Sequence, residues 1–125
     1  VHGFAGPFGG MFGAPHGAVC AALLPHVMTA NVRALQDRRP DSPALQRYDE
    51  TARILLGDAD ATVADGVKWI EQLCADLQVP GLGSYGTTPD DFETLIQRAS
   101  VASSMKPNPV VLTSDELVSI LTRAL

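Results

Sequence analysis

The stretch His2-Gly3-Phe4-Ala5-Gly6-Pro7-Phe8-Gly9-Gly10-Met11-Phe12-Gly13-Ala14-Pro15-His16-Gly17 decides how this chain is read. Two histidines bracket five glycines and two prolines. In one straight helix over residues 2–16 the imidazoles would stand about 21 Å apart, beyond the reach of a shared ion. The freedom of glycine and the fixed φ of proline disfavour such a helix and let the backbone fold back. Residues 3–15 therefore read as a loop, through which His2 and His16 can converge on one ion at about 2.0–2.1 Å each. From the residues alone the pair is permitted, not demanded.

Beyond the loop the pattern is helical. A helix is expected from Pro15 or His16 to about Leu35, apolar on nearly every side and so buried, and interrupted by Pro25. Asp37 to Asp41 read as a charged connector. Ser42-Pro43 is an N-cap followed by a first helical residue, and Leu45, Tyr48, Ala52 and Leu55 recur at helical spacing until Gly57. Thr62 caps the next helix, whose stripe is Val67, Ile70, Cys74 and Leu77, and Pro80-Gly81 ends it. Thr88-Pro89-Asp90-Asp91 opens another, buried through Phe92, Leu95, Ile96 and Ala99. Thr113-Ser114-Asp115-Glu116 is a capping box for a last helix carrying Leu117, Ile120, Leu121 and Ala124. Five helices and no confident strand predict an all-α helical bundle.

Gly81-x-Gly83-x-x-Gly86 has the spacing of a dinucleotide fingerprint. It follows a helix rather than a strand and lies in no βαβ unit, so the reading is a plain loop. The formal net charge of −5 and the lack of clustered Lys and Arg argue against nucleic acid as a partner. The longest uninterrupted apolar run is too short to span a bilayer, which predicts no membrane segment. Cys20 and Cys74 form no Cys-x-x-Cys motif and read as buried free thiols, compatible with a cytoplasmic location. Cys20 lies four residues after His16, on the same helical face, yet reads as packing rather than as a ligand. His26 reads as a structural histidine, and Asn31 as bonding helix or loop backbone.

The words around the histidines carry more. His2-Gly-x-Ala, Pro15-His16-Gly17 and Ala21-x-Leu23-Leu24-Pro25-His26-Val27-Met28-x-x-Asn31 together resemble the iron-containing (group III) alcohol dehydrogenases. The likeness is most specific over residues 2–31 and returns at Lys106-Pro107-Asn108-Pro109 before the final helix. It implies the C-terminal helical domain of the dehydroquinate-synthase-like fold. It also implies a metal set of one Asp and three His, in which His2 and His16 are two ligands and the other two lie upstream. Many members carry a further histidine four residues after the first ligand, where this chain has Gly6. That departure touches the substrate class and any proton relay, not the two ligands.

The chain begins at Val1 rather than Met and reads as a piece of a longer polypeptide. Residues 1–125 are expected to be a partial C-terminal helical metal-binding domain, with the N-terminal nucleotide-binding domain outside them. By resemblance the intact protein interconverts a small alcohol and its aldehyde by hydride transfer, using a divalent metal (Fe²⁺ or Zn²⁺) and NAD(P). Phe4, Gly6 and Phe12 are candidate substrate-pocket residues. Phe4, Phe8 and Phe12 are expected to form an exposed apolar face toward the absent domain, open to self-association into a homo-oligomer. Two imidazoles alone should hold metal weakly, and the piece alone should hold no NAD(P) tightly. Two other classes compete: a non-enzymatic helical interaction domain with incidental histidines, and a metal-free reductase of the same superfamily. An upstream Asp-x-x-x-His pair with a nucleotide-binding strand-turn-helix separates the first from the enzyme reading, and metal analysis separates the second.

Overall fold

Where the sequence carries a cap, a helix begins. The computed structural model describes all residues, 1–125, and contains six α-helices and no strand: α1 (His2–Phe12), α2 (His16–Arg38), α3 (Pro43–Leu56), α4 (Val63–Asp76), α5 (Phe92–Val101) and α6 (Ser114–Ala124). Ser42 Oγ accepts from the Ala44 N–H at 3.4 Å to start α3, and Gly57 closes it in the left-handed conformation at φ 66°. At α4 the Thr62 N–H and hydroxyl both donate to Asp65 Oδ2, at 3.0 and 2.6 Å. At α6 the reciprocal pair is complete: the Glu116 N–H donates to Thr113 Oγ1 at 3.3 Å, and the Thr113 N–H to Glu116 Oε2 at 2.7 Å. Short 3₁₀ turns at Leu82–Tyr85, Pro89–Asp91 and Ser103–Met105 fill the connections.

The sixth helix is the difference from the sequence reading. Residues 3–15 are not a loop: α1 occupies His2–Phe12 despite four glycines and Pro7 inside it. By intrinsic propensity that composition costs about 7 kcal/mol, roughly 1 for each glycine and 3 for the proline. Burial offsets it. Phe4 and Phe8 are each 1% exposed, and burial of such side chains contributes about 1.5–3 kcal/mol apiece, with Ala5, Met11 and Phe12 adding to the same face. Tertiary packing, rather than local preference, makes this segment helical.

α2 is the central strut, packed against α1, α3, α4 and α6. Pro25 does not break it. A proline deprives the carbonyl four residues back of its helical partner, here that of Ala21, and the Cys74 thiol on α4 donates to that oxygen at 3.6 Å. By length and composition α2 is apolar enough to cross a membrane, contrary to the run-length argument from sequence. Half of its apolar window is buried inside the fold, the mark of a core helix. Its last turn is tied to α6: the Arg38 guanidinium grips Glu116 at 2.9 and 3.1 Å and donates to the Val111 carbonyl at 3.0 Å. The guanidinium, with the Thr113 cap, holds the Glu116 carboxyl below its usual range.

The main core joins α1, α2, α5 and α6 through Phe4, Phe8, Val19, Leu23, Leu95 and Leu121, all at or below 1% exposed. α3 and α4 form an outer hairpin. They pack tightly at Gly66, where a Cβ would sit 2.8 Å from the Ala52 Cβ. The Gly81–Gly86 loop lies under the chain's last residue: a Cβ on Gly81 would strike the Leu125 carbonyl, and the Gly83 N–H donates to that oxygen at 3.4 Å. Those glycines serve packing.

Candidate metal centre

His2 opens α1 and His16 opens α2. A ten-residue advance along α1 carries the chain about 15 Å away from His2. The return is made in three residues. Gly13 adopts φ 67°, donating its N–H to the Gly9 carbonyl at 3.0 Å, and Pro15 is extended at φ −61°, ψ 128°. Four residue steps separate Phe12 from His16, a span of at most about 14 Å. The start of α2 is thereby laid beside the start of α1.

The imidazoles meet. His2 Nδ1 and His16 Nε2 are 3.1 Å apart, and the rings stack with centroids 5.3 Å apart and planes 9° from parallel. The convergence read from the sequence is present, reached by helix, reversal and helix rather than by a loop. Both side chains are exposed, so their nitrogens are open to an ion and its further ligands. The donor set fits a divalent metal: two imidazole nitrogens suit iron or zinc, and neither ring is sealed in the core.

A third group joins them that sequence reasoning set aside. Cys20 Sγ, one turn along α2 from His16, lies 3.5 Å from His2 Nδ1. The three donor atoms lie within 4.8 Å of one another. Burial pushes the Cys20 thiol up from its ordinary range, so without a metal it carries its proton. The four-residue spacing from His16 showed a shared face, but the approach to His2 depends on the reversal at Gly13.

The remaining sequence candidates scatter. Phe4 is 1% exposed in the core, and Phe12 is half-buried against Phe8, with ring centroids 4.8 Å apart. Neither borders the cavity at His2, and the expected exposed apolar face through Phe4, Phe8 and Phe12 does not exist; these rings are what hold α1 down. Gly6, one turn after His2, is exposed, with nothing within 4 Å of where its Cβ would be. His26 belongs to a separate small cavity with Arg33 and Arg123, where burial holds its imidazole below the usual range.

A shallow cavity of about 340 Å³ runs from His2 past Met28 and Met105 to Asn31, Tyr48 and Asn108. Asn31 bonds side chains here, not the backbone expected of it. Its amide donates to the Tyr48 hydroxyl at 3.0 Å and to Asn108 Oδ1 at 2.9 Å, and Asn108 returns a bond to Asn31 Oδ1 at 2.8 Å. Burial pushes the Tyr48 phenol up, keeping it neutral. The pair joins α2 to the Lys-Pro-Asn-Pro connector at one end of the cavity.

Known proteins share this arrangement of helices. The chain is 30% identical over 125 residues to alcohol dehydrogenase 4 of Saccharomyces cerevisiae, covering 99% of the chain and 31% of that protein. It is 29% identical to 1,3-propanediol dehydrogenase of Klebsiella pneumoniae, again over 99% of the chain and 31% of the relative. Among solved structures, an alcohol dehydrogenase from Oenococcus oeni superposes with a TM-score of 0.80 at 30% identity, over 99% of this chain and 32% of that one. A 1,3-propanediol oxidoreductase superposes with a TM-score of 0.81 at 25% identity. The chain thus spans about a third of the length of the relatives it matches. The Fe-containing alcohol dehydrogenase family, C-terminal, matches residues 1–125 from end to end, and the chain belongs to that family.

Proposed function

We propose that this chain is the metal-binding helical part of a metal-dependent, NAD(P)-linked alcohol dehydrogenase, and that His2 and His16 are two of its metal ligands. The observation that carries the reading is the 3.1 Å approach of His2 Nδ1 to His16 Nε2, made by two helix starts that are fourteen residues apart in sequence. A divalent ion held by His2 and His16 would supply Lewis acidity toward the oxygen of a small alcohol or aldehyde. The chain's own residues contribute placement. α1 and α2 fix the two imidazoles relative to each other, and the open space at Gly6 leaves room beside His2 for a small alcohol or aldehyde. The cavity from His2 to Asn31 extends that room with apolar walls at Met28 and Met105. By the family resemblance, the nicotinamide site and the Asp and third His of the ligand set would lie outside these residues.

Metal removal tests this reading. In the intact protein, exhaustive chelation should abolish NAD(P)-dependent oxidation of short-chain alcohols, and Fe²⁺ or Zn²⁺ should restore it. Full activity in the chelated protein would favour the metal-free reductase instead.

A further inference from the structure

We infer that Cys20 is a third metal donor, so that this chain alone forms a His₂Cys site for a thiophilic divalent ion such as Zn²⁺. The inference rests on the His2–His16 pair being the metal site and adds a ligand to it. Its basis is the spacing of the donor atoms. Zinc holds nitrogen at about 2.0 Å and thiolate sulfur at about 2.3 Å in tetrahedral geometry, which sets neighbouring ligand nitrogens roughly 3.3 Å apart and nitrogen and sulfur roughly 3.5 Å apart. The structure has 3.1 Å between His2 Nδ1 and His16 Nε2, and 3.5 Å between His2 Nδ1 and Cys20 Sγ. The third side of the triangle, no longer than 4.8 Å, must contract toward about 3.5 Å when all three bind one ion.

Without an ion the same contacts are hydrogen bonds of His2 with His16 and Cys20, and Cys20 also packs against the main core. Cys20 is only half-buried and forms no disulfide. Its sulfur lies within 4.8 Å of a donor nitrogen of each exposed imidazole. Ligation replaces the S–H bond by a metal–sulfur bond and releases one proton to solvent, so binding through Cys20 strengthens as pH rises. Thiolate with imidazole selects zinc or cobalt over magnesium or calcium, which favour oxygen donors. Two imidazoles alone predict weak binding by this chain; a third, anionic donor predicts firm binding.

Cobalt(II) reads the ligand set directly. The reduced 125-residue chain, titrated with Co²⁺ without oxygen, should take up one equivalent and show a near-ultraviolet thiolate-to-cobalt charge-transfer band with tetrahedral visible bands. Cys20→Ser should lose the charge-transfer band and bind Co²⁺ at least about 10-fold more weakly. Binding that His16→Ala removes but that lacks the charge-transfer band in the unsubstituted chain would overturn the role of Cys20 and leave the histidine pair standing. A charge-transfer band that survives Cys20→Ser would place the thiolate elsewhere and also overturn it. No Co²⁺ uptake would overturn the three-donor site, and the histidine pair would then be judged on the metal content of the intact protein.

Discussion

His16→Ala in the intact protein should lose most of its bound metal and lower kcat/KM for alcohol oxidation by more than about 100-fold. Replacing a group that merely orients a metal ligand typically costs 10–100-fold, and loss of a ligand itself exceeds that. The side chain is exposed and stands at the first residue of α2, where an alanine is accepted without packing loss. Thermal unfolding of the metal-free variant should therefore match that of the metal-free parent. Metal content measured by emission spectroscopy, alongside the rate, separates a ligand from a fold defect. Turnover within a few-fold of the parent in a metal-poor His16→Ala protein would remove His16 from the site.

Asn31→Leu should destabilise the fold by about 2–4 kcal/mol, the range expected when buried amides lose their partners. Asn31 is 2% exposed and bonds both Tyr48 and Asn108. A leucine of similar shape leaves Asn108 with its bond to the Val110 carbonyl, 2.7 Å away, and without the two it exchanged with Asn31. The partner replacement Asn108→Leu in the same protein should recover part of the loss, because a pair of apolar groups leaves fewer unsatisfied polar atoms than one stranded amide. Urea unfolding of the two single variants and the double variant measures the coupling. Additive losses would show that the two amides do not act as a pair.

Much of the helical frame was legible because its signals are local. Ser42, Thr62, Thr88 and Thr113 each sit immediately before a helical turn, and Gly57 and Gly86 adopt the positive φ for which glycine is suited. What was not legible was non-local. α1 is helical because Phe4 and Phe8 join a core with residues far along the chain, Leu95 and Leu121 among them, while the Met105 side chain packs over Gly3. No count of glycines within residues 2–12 contains that information. The same limit hid Cys20: its placement beside His2 follows from the reversal at Gly13 and Pro15, not from the spacing to His16. It also misplaced the aromatic residues, since glycine-flanked phenylalanines read as a surface until the helix that buries them is known. The histidine pair was visible as two residues within family-like words, and its geometry rests on fold contacts that those words do not encode.

His2 and His16 are proposed to bind one ion together. Crystals of the intact protein, grown with Fe²⁺ or Zn²⁺ and measured on both sides of that metal's absorption edge, test it most directly. A single anomalous peak is expected within about 2.0–2.3 Å of a nitrogen of each imidazole. A peak ligated elsewhere, with His2 and His16 both free of it, would contradict the assignment of this site.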